Sequence, residues 1–122
     1  MRFKDLLAYK KGFELAMNIF ELTKTFPKKE MNSLTDQIRR SSRSVTITIS
    51  EAYRKREYSK HFHSKLTNAD SENSETQGWP EYVLACKYIT NNQFTELTNN
   101  SIEIGKLINY MILNPEKFGV KK

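Results

Sequence analysis

The chain has 122 residues, of which 38% are hydrophobic and 28% charged, and its net charge is +6. This length suits one domain, 1–122, that buries a core without disulfides or metal. A run of about 18 apolar residues and an apolar N-terminal segment are both absent, which argues against a membrane span and a secretory signal. We therefore expect a cytoplasmic protein. Its lone Cys86 follows an apolar run and is predicted to be a small buried hydrophobe.

Apolar residues at spacings of three and four predict an all-α chain with four helices. The first helix is predicted over about 5–26, where Tyr9, Phe13 and Ile19 share one stripe. It should end before Pro27, because a proline disfavours the α conformation in the preceding residue.

The second helix is predicted over about 33–55, although part of it conflicts with this prediction. The segment Val45–Ile49 alternates and is β-branched throughout, which by itself indicates a strand. No partner strand is found elsewhere, and an isolated strand pair is marginal in water. The helical interpretation is therefore favoured, and it leaves Ile47 outside the core stripe.

The third helix is predicted over about 57–90, with a kink near Pro80. Between residues 67 and 78 the only apolar residue is Ala69, so composition alone indicates a loop there. Pro80 either kinks a long helix or opens a new one at its first turn. Trp79 keeps phase with the apolar residues that follow it, which favours a place in the core or in a subunit interface.

The fourth helix is predicted over about 94–113, after a turn at Asn91–Asn92. Beyond it, Lys117–Lys122 is expected to form a loose basic tail.

Positive charge is concentrated in the middle of the chain. Residues 35–65 carry eight Lys or Arg against three Asp or Glu, whereas residues 66–122 carry five against seven. Arginine suits phosphate because its planar fork makes bidentate contacts. The candidate nucleic-acid-binding residues are Arg39, Arg40, Arg43, Arg54, Lys55, Arg56 and Lys60. The alternative is a solvated or subunit-pairing face, on which these cations pair with Glu51, Glu57 or another subunit. Glu72 and Glu75 are expected to pair with the arginines of the second helix.

Aromatic residues occur among these cations. Tyr53 and Tyr58 could stack on exposed bases, as recognition of single-stranded RNA often requires.

Catalytic and metal-binding patterns are not found in the sequence. His61 and His63 are two residues apart on a helix, so they point in different directions and cannot chelate one metal. Glu72-x-x-Glu75 lacks the histidines that a di-iron site in a helical bundle needs. The glycines are isolated, so no phosphate-binding loop exists. We therefore expect no enzyme, cofactor, metal or small-molecule substrate.

Self-association is predicted from apolar residues outside the best core stripes. These are Leu15, Leu22, Ile47 and Ile102, which would leave apolar surface after one bundle has formed.

Several short motifs occur together in a fixed order along the chain. They are Phe3-x-Asp5-Leu6, Leu22-Thr23-Lys24-x-Phe26-Pro27, Leu34-Thr35-x-Gln37-Ile38-Arg39-Arg40, Ser44-Val45-x-x-x-Ile49-x-Glu51, Ser74-Glu75-Thr76-Gln77-x-Trp79 and Lys87-Tyr88-Ile89. Together they resemble the four-helix-bundle proteins encoded within intervening sequences of bacterial 23S ribosomal RNA genes, over roughly residues 3 to 112.

The resemblance implies an antiparallel up-down four-helix bundle that assembles as a homopentamer, with residues 67–78 helical. A related accessory protein of diversity-generating retroelements is basic and pentameric and binds nucleic acid. Three positions depart from the family's pattern: Thr48 replaces an asparagine, Ala52 replaces a glycine, and Pro80 replaces an apolar residue.

We accordingly predict a basic, non-enzymatic homo-oligomer that binds nucleic acid, and we expect that nucleic acid to be RNA. The alternative is a structural or protein–protein interaction module without nucleic-acid binding.

Overall fold

The computed structural model describes residues 2–120, and all the regular structure within that range is helical. The four α-helices are α1 (Leu7–Thr23), α2 (Leu34–Arg54), α3 (Ser59–Ala85) and α4 (Asn91–Leu113). Three short 3-10 helices span Phe3–Asp5, Lys28–Glu30 and Pro115–Phe118. The prediction of an all-α chain with four helices is therefore confirmed.

The four helices pack around one apolar core. Each helix packs on the next along the chain, and α4 also packs on α1. The α1–α2 contact is close at Gly12, where a Cβ would lie 2.9 Å from Thr46 Cγ2. Burial of apolar side chains is the main favourable term holding such helices together. The largest buried ones are Ile19, Ile38, Ile49, Phe62, Leu66, Val83, Ile104, Ile108 and Met111.

The segment Val45–Ile49 lies within α2, which confirms the helical prediction over the strand. Val45 and Ile49 are in the core, whereas Ile47 points outward and is 56% exposed. Tertiary burial at a four-residue spacing outweighs the preference of β-branched residues for strands.

Helix α1 is shorter than predicted at both ends. Leu6 has an extended backbone, which separates the 3-10 turn Phe3–Asp5 from α1. After Thr23 the chain makes a turn before Pro27. Phe13, predicted to face the core, is 52% exposed, so its place in the apolar stripe was wrong.

The polar segment 67–78 is helical, so the loop indicated by its composition was wrong and the helix implied by the family resemblance is confirmed. Its core-facing residues are Ala69, Asn73 and Thr76, all buried. Thr76 opposes the small buried Ser41 of α2 and donates a 3.1 Å hydrogen bond to its hydroxyl. Small polar side chains thus replace large apolar ones in this part of the core.

Helix α3 runs through Pro80 without interruption and ends at Ala85, not at residue 90. It ends in a Schellman motif: the Lys87 amide donates to the Leu84 carbonyl and the Tyr88 amide to the Val83 carbonyl. Lys87 has the left-handed φ of 64° that this motif requires.

This helix end explains why Cys86 is exposed. The residue caps α3 and leaves the apolar stripe, so its predicted burial was wrong.

The start of α4 also differs from the prediction, because Asn91 and Asn92 are its first helical residues and form no separate turn. Thr90 Oγ1 accepts from the Gln93 amide while Gln93 Oε1 accepts from the Thr90 amide, a reciprocal capping box. After α4, Pro115–Phe118 is helical and Val120 is buried, so this part of the predicted loose tail is ordered. Lys121 and Lys122 lie outside the described residues.

A buried polar pair joins α3 to α4. Asn73 Nδ2 donates to the Ser101 carbonyl at 2.9 Å, and Ser101 Oγ donates to Asn73 Oδ1 at 3.0 Å. Both residues are 1% exposed. A buried amide is costly unless its hydrogen bonds are made, so this pair favours one register of α3 against α4.

Replacing Asn73 with alanine should lower the free energy of unfolding by about 1–3 kcal/mol, because two buried hydrogen bonds are lost. The measurement is urea unfolding of the wild type and the variant. Asn68→Ala, at an exposed position of the same helix, is the matched control and should change little. Equal effects of the two substitutions would contradict this role for Asn73.

A second polar pair joins the connection between α1 and α2 to that between α3 and α4. Tyr88 Oη donates a 2.8 Å hydrogen bond to Glu30 Oε2, and the Tyr88 ring packs on Phe26 at 5.6 Å between centroids. The hydrogen bond to Glu30 raises the pKa of Tyr88 to about 12. Hydrogen bonds from Ser33 and from Tyr88 lower the pKa of Glu30.

In a titration by ultraviolet absorbance, the difference between the wild type and Tyr88→Phe should show a phenol that ionises at about 12 rather than the ordinary 10.0. The raised pKa means that neutral Tyr88 stabilises the fold up to about pH 10, and that this contribution is lost as the pH rises toward 12. Glu30→Gln should move the pKa back toward its ordinary value. A phenol that titrates normally in the wild type would show that the hydrogen bond is not formed.

Candidate nucleic-acid interface

The seven predicted basic residues do not form one continuous surface. Arg39 and Arg43 lie together on the side of α2 that faces α1, whereas Arg40 faces α3. Arg54, Lys55, Arg56 and Lys60 lie at the end of α2 and the beginning of α3. The structure thus divides the predicted interface into three groups with different surroundings.

Arg40 is occupied by carboxylates. Its Nη2 lies 3.0 Å from Glu75 Oε2, its Nη1 lies 3.7 Å from Glu72 Oε2, and it also donates to Gln37 Oε1. The predicted pairing of Glu72 and Glu75 with an arginine of α2 is confirmed here. Lys65 is occupied in the same way, with its Nζ 2.8 Å from Glu51 Oε2. Arg40 and Lys65 thus pair with carboxylates of the same chain, which agrees with the carboxylate pairing of the alternative interpretation.

Arg39 and Arg43 share one aromatic partner. Their guanidinium carbons lie 4.9 Å and 5.6 Å from the centroid of the Phe20 ring. Arg39 Nε also donates a 2.7 Å hydrogen bond to Thr23 Oγ1. Cation–π contacts hold both side chains in position without cancelling their charge. Arg39 and Arg43 therefore lie on the same face of α2.

These two arginines line an open groove on the outer side of α2. The other lining residues are Met31, Asp36, Arg40, Ser44 and Ile47. Met31 and Ile47 are respectively 48% and 56% exposed, so the groove presents apolar and cationic groups side by side.

The third group surrounds a cleft at the end of α2. This cleft, termed the terminal cleft below, is lined by Arg2, Phe3, Lys4, Tyr53, Arg54, Arg56 and Glu57. The guanidinium of Arg56 stacks on the Tyr53 ring, with its carbon 3.6 Å from the ring centroid. Tyr53 is only 5% exposed, so the proposed stacking of a base on Tyr53 was wrong. Tyr58 is 57% exposed and lies 5.7 Å from the His61 ring, which leaves it accessible.

Arg2 and Lys4 were not predicted as site residues. They come from the segment before α1 and reach the terminal cleft only through the tertiary fold. In the sequence only their positive charge indicated a role in binding, and the denser basic cluster at 39–60 was the stronger indication.

Several cations of the predicted site have no carboxylate within ion-pair distance among residues 2–120. These are Arg39, Arg43, Arg54, Lys55, Arg56 and Lys60. Arg43, Arg54, Lys55 and Lys60 are also exposed. The part of the chain that carries the excess positive charge therefore presents it to solvent.

The histidines and the other potential metal-binding side chains do not form a common site among the described residues. His61 and His63 are exposed on either side of the buried Phe62. Within the described residues no three His, Cys, Asp or Glu side chains come together in a way that could hold a metal ion. Nor does any helix in residues 2–120 combine the length and the apolar character needed to cross a membrane.

Apolar residues remain exposed, but they differ in part from the predicted set. Ile47 and Ile102 are 56% and 42% exposed, as predicted. Leu22 is half-buried, and Leu15 is 3% exposed, so its predicted exposure was wrong. Leu15 faces the core between α1 and α4, a direction that the α1 sequence alone does not distinguish.

The fold and its surface define a small all-α protein with four helices and an exposed basic region on and after the second. The 23S rRNA-intervening sequence protein family matches residues 4–110, and the chain belongs to this family. The crystal structure of a protein of unknown function from the S23 ribosomal protein family of Bacteroides thetaiotaomicron is similar, with a TM-score of 0.80 and 32% sequence identity. That similarity covers 90% of this chain and 98% of the other. No curated protein matches the chain in sequence.

Proposed function

We propose that this protein is a non-enzymatic nucleic-acid-binding protein of the cytoplasm that contacts phosphates through the Arg and Lys side chains of α2 and the turn after it. The observation that carries the proposal is the exposure of Arg43, Arg54, Lys55 and Lys60 without carboxylate neighbours among residues 2–120. Phosphate contacts by such side chains provide most of the affinity in sequence-independent binding. Arg39 and Arg56 are already ordered on aromatic rings, which reduces the entropy lost when they bind.

RNA is the first ligand to test. Tyr58 offers one exposed ring two residues before Lys60 in the sequence, and unpaired bases stack readily on such rings.

Charge reversal at Arg43 and Arg54 should weaken binding of single-stranded RNA by about tenfold or more at low salt. The slope of log affinity against log salt should fall by about one for each phosphate contact that is lost. Fluorescence anisotropy across a salt series, with single-stranded and duplex RNA and DNA, measures both quantities. The matched control is Lys29→Glu with Lys106→Glu, which makes the same charge change at exposed positions elsewhere.

Binding that responds neither to salt nor to reversal at Arg43 and Arg54 would contradict the proposal. A wild type that binds no nucleic acid even at low salt would favour the alternative function, a structural or protein-interaction module. That alternative has its own support in the groove beside Arg39 and Arg43, where Met31 and Ile47 are exposed. Affinity capture of one protein partner, unchanged by nuclease treatment, would then support it.

We also propose that the four helices form an antiparallel up-down bundle. Two ion pairs between α2 and α3 support this arrangement, since Arg40 pairs with Glu75 and Lys65 pairs with Glu51. From Arg40 to Glu51 the residue numbers rise along α2, while those of their partners on α3 fall from 75 to 65, as expected for antiparallel helices. Contacts of α1 follow the same order, because Gly12 lies against Thr46 and Thr23 against Arg39.

The same bundle is proposed to assemble into a homo-oligomer, a pentamer by family resemblance. Large apolar side chains on the outside of α1 and α2 support self-association, because monomers rarely expose such residues in groups. They are Phe13 at 52%, Met17 at 44% and Ile47 at 56% exposure.

Light scattering coupled to gel filtration should give a mass close to five times that of one chain. Ile47→Glu should shift the protein toward smaller species, because a buried interface penalises an unpaired carboxylate. Tyr82→Glu, at an exposed aromatic residue of α3, is the control and should leave the mass unchanged. A wild type that remains monomeric at high concentration would refute the assembly.

A further inference from the structure

The terminal cleft brings cations together from segments that are distant in sequence. Arg2 and Lys4 precede α1, whereas Arg54 and Arg56 are at and just beyond the end of α2. Glu57 is the one carboxylate among the lining residues. Four cationic groups, set against Glu57 and against the Asp5 that pairs with Arg2, leave the cleft with a positive local potential.

The segment before α1 is held at the cleft by specific contacts. The Phe3 ring packs edge-on against Tyr9, with 5.2 Å between centroids. Asp5 Oδ2 accepts a 3.0 Å hydrogen bond from the Arg2 amide, and Asp5 Oδ1 lies 3.9 Å from Arg2 Nη2. Asp5 therefore fixes the backbone of this turn and offsets part of the charge of Arg2. Lys4 makes no ion pair among the described residues.

Arg56 is positioned from two sides. Its guanidinium stacks on the buried Tyr53 ring at 3.6 Å, and the chain passes close to it again at Gly119. A Cβ at Gly119 would lie 3.6 Å from Arg56 Nη1, and its φ of +88° favours glycine. A guanidinium stacked in this way keeps its N–H groups available in the plane of the fork. It can donate two parallel hydrogen bonds to one phosphate without first losing its rotamer freedom.

We infer that the terminal cleft binds backbone phosphates of a nucleic-acid strand and that Arg2 and Lys4 belong to this interface together with Arg54 and Arg56. The inference rests on the proposed function and assigns its principal contact to this end of the molecule. The groove beside Arg39 and Arg43 is a poorer phosphate site, because it includes Asp36 and the exposed apolar residues Met31 and Ile47. The terminal cleft has Phe3 and Tyr53 below its cations, so its charged rim surrounds a partly apolar floor.

The test uses the full chain and a labelled single-stranded RNA, with affinity measured by fluorescence anisotropy at several salt concentrations. The double variant Arg2→Ala, Lys4→Ala should bind about fivefold or more weakly, and its salt slope should fall by about two. The matched control Lys28→Ala, Lys29→Ala removes the same charge from exposed positions between α1 and α2 and should stay within about twofold of the wild type. Thermal unfolding checks that both variants fold like the wild type.

A second variant tests the bidentate contact of the Arg56 guanidinium. Arg56→Lys keeps the charge but loses the bidentate contact, so it should weaken RNA binding while leaving the net charge unchanged. Inorganic phosphate should compete with RNA more strongly than chloride at equal ionic strength, and this difference should shrink in Arg56→Lys.

The outcomes separate the two proposals. Suppose that the wild type binds RNA and that neither the double variant Arg2→Ala, Lys4→Ala nor Arg56→Lys weakens this binding. The assignment to the terminal cleft would then be overturned, while nucleic-acid binding itself would stand. If in addition only reversal at Arg43 weakened binding, the groove on α2 would be the site. Absence of binding to any RNA or DNA at low salt would overturn both.

Discussion

Close packing of α2 on α3 determines where the charged side chains of this protein point. The two helices meet through small buried residues, among them Ser41 on α2 and Thr76 on α3. Small side chains let helix axes approach closely, and the hydrogen bond from Thr76 to Ser41 favours one register. In that register Arg40 meets Glu75 on the outside of the same contact. A shift of one residue along α3 would turn these carboxylates away and bring large polar groups into the core.

That register leaves the charges of α2 unequal. The carboxylates of α3 neutralise Arg40, and Glu51 of α2 neutralises Lys65 of α3. These exposed ion pairs contribute little stability by themselves, since solvent screens them. Their larger effect is on the surface potential. Glu51, Glu72 and Glu75 pair with Arg40 and Lys65, so Arg43 and Arg54 have no carboxylate partner among residues 2–120. The excess positive charge in residues 35–65 is therefore presented outward at defined positions.

Local periodicity predicted the helices of this protein better than composition did. Val45–Ile49 was assigned correctly because its helical spacing continues that of Ile38, whereas the loop indicated for 67–78 was wrong. A polar segment is helical there because Thr76 packs on Ser41 of α2 and Asn73 bonds Ser101 of α4, and both partners are distant in sequence. The burial of Cys86 was predicted wrongly because the local sequence does not mark the end of α3. The left-handed position after a helix is usually glycine, and here it is Lys87. The basic face of α2 could be predicted, but its division into neutralised and exposed arginines could not.

The departures from the family pattern affect packing more than the outer surface. Ala52 is completely buried, so the methyl group that distinguishes it from glycine lies in the core and cannot touch a bound polyanion. Pro80 is also buried, within an uninterrupted α3, and its cost is the missing amide that would have bonded the Thr76 carbonyl. Thr48 alone is partly accessible, on the α2 helix between Arg43 and Arg54. A change in ligand contact would therefore have to act through Thr48, whereas Ala52 and Pro80 can act only by changing how α2 and α3 are held.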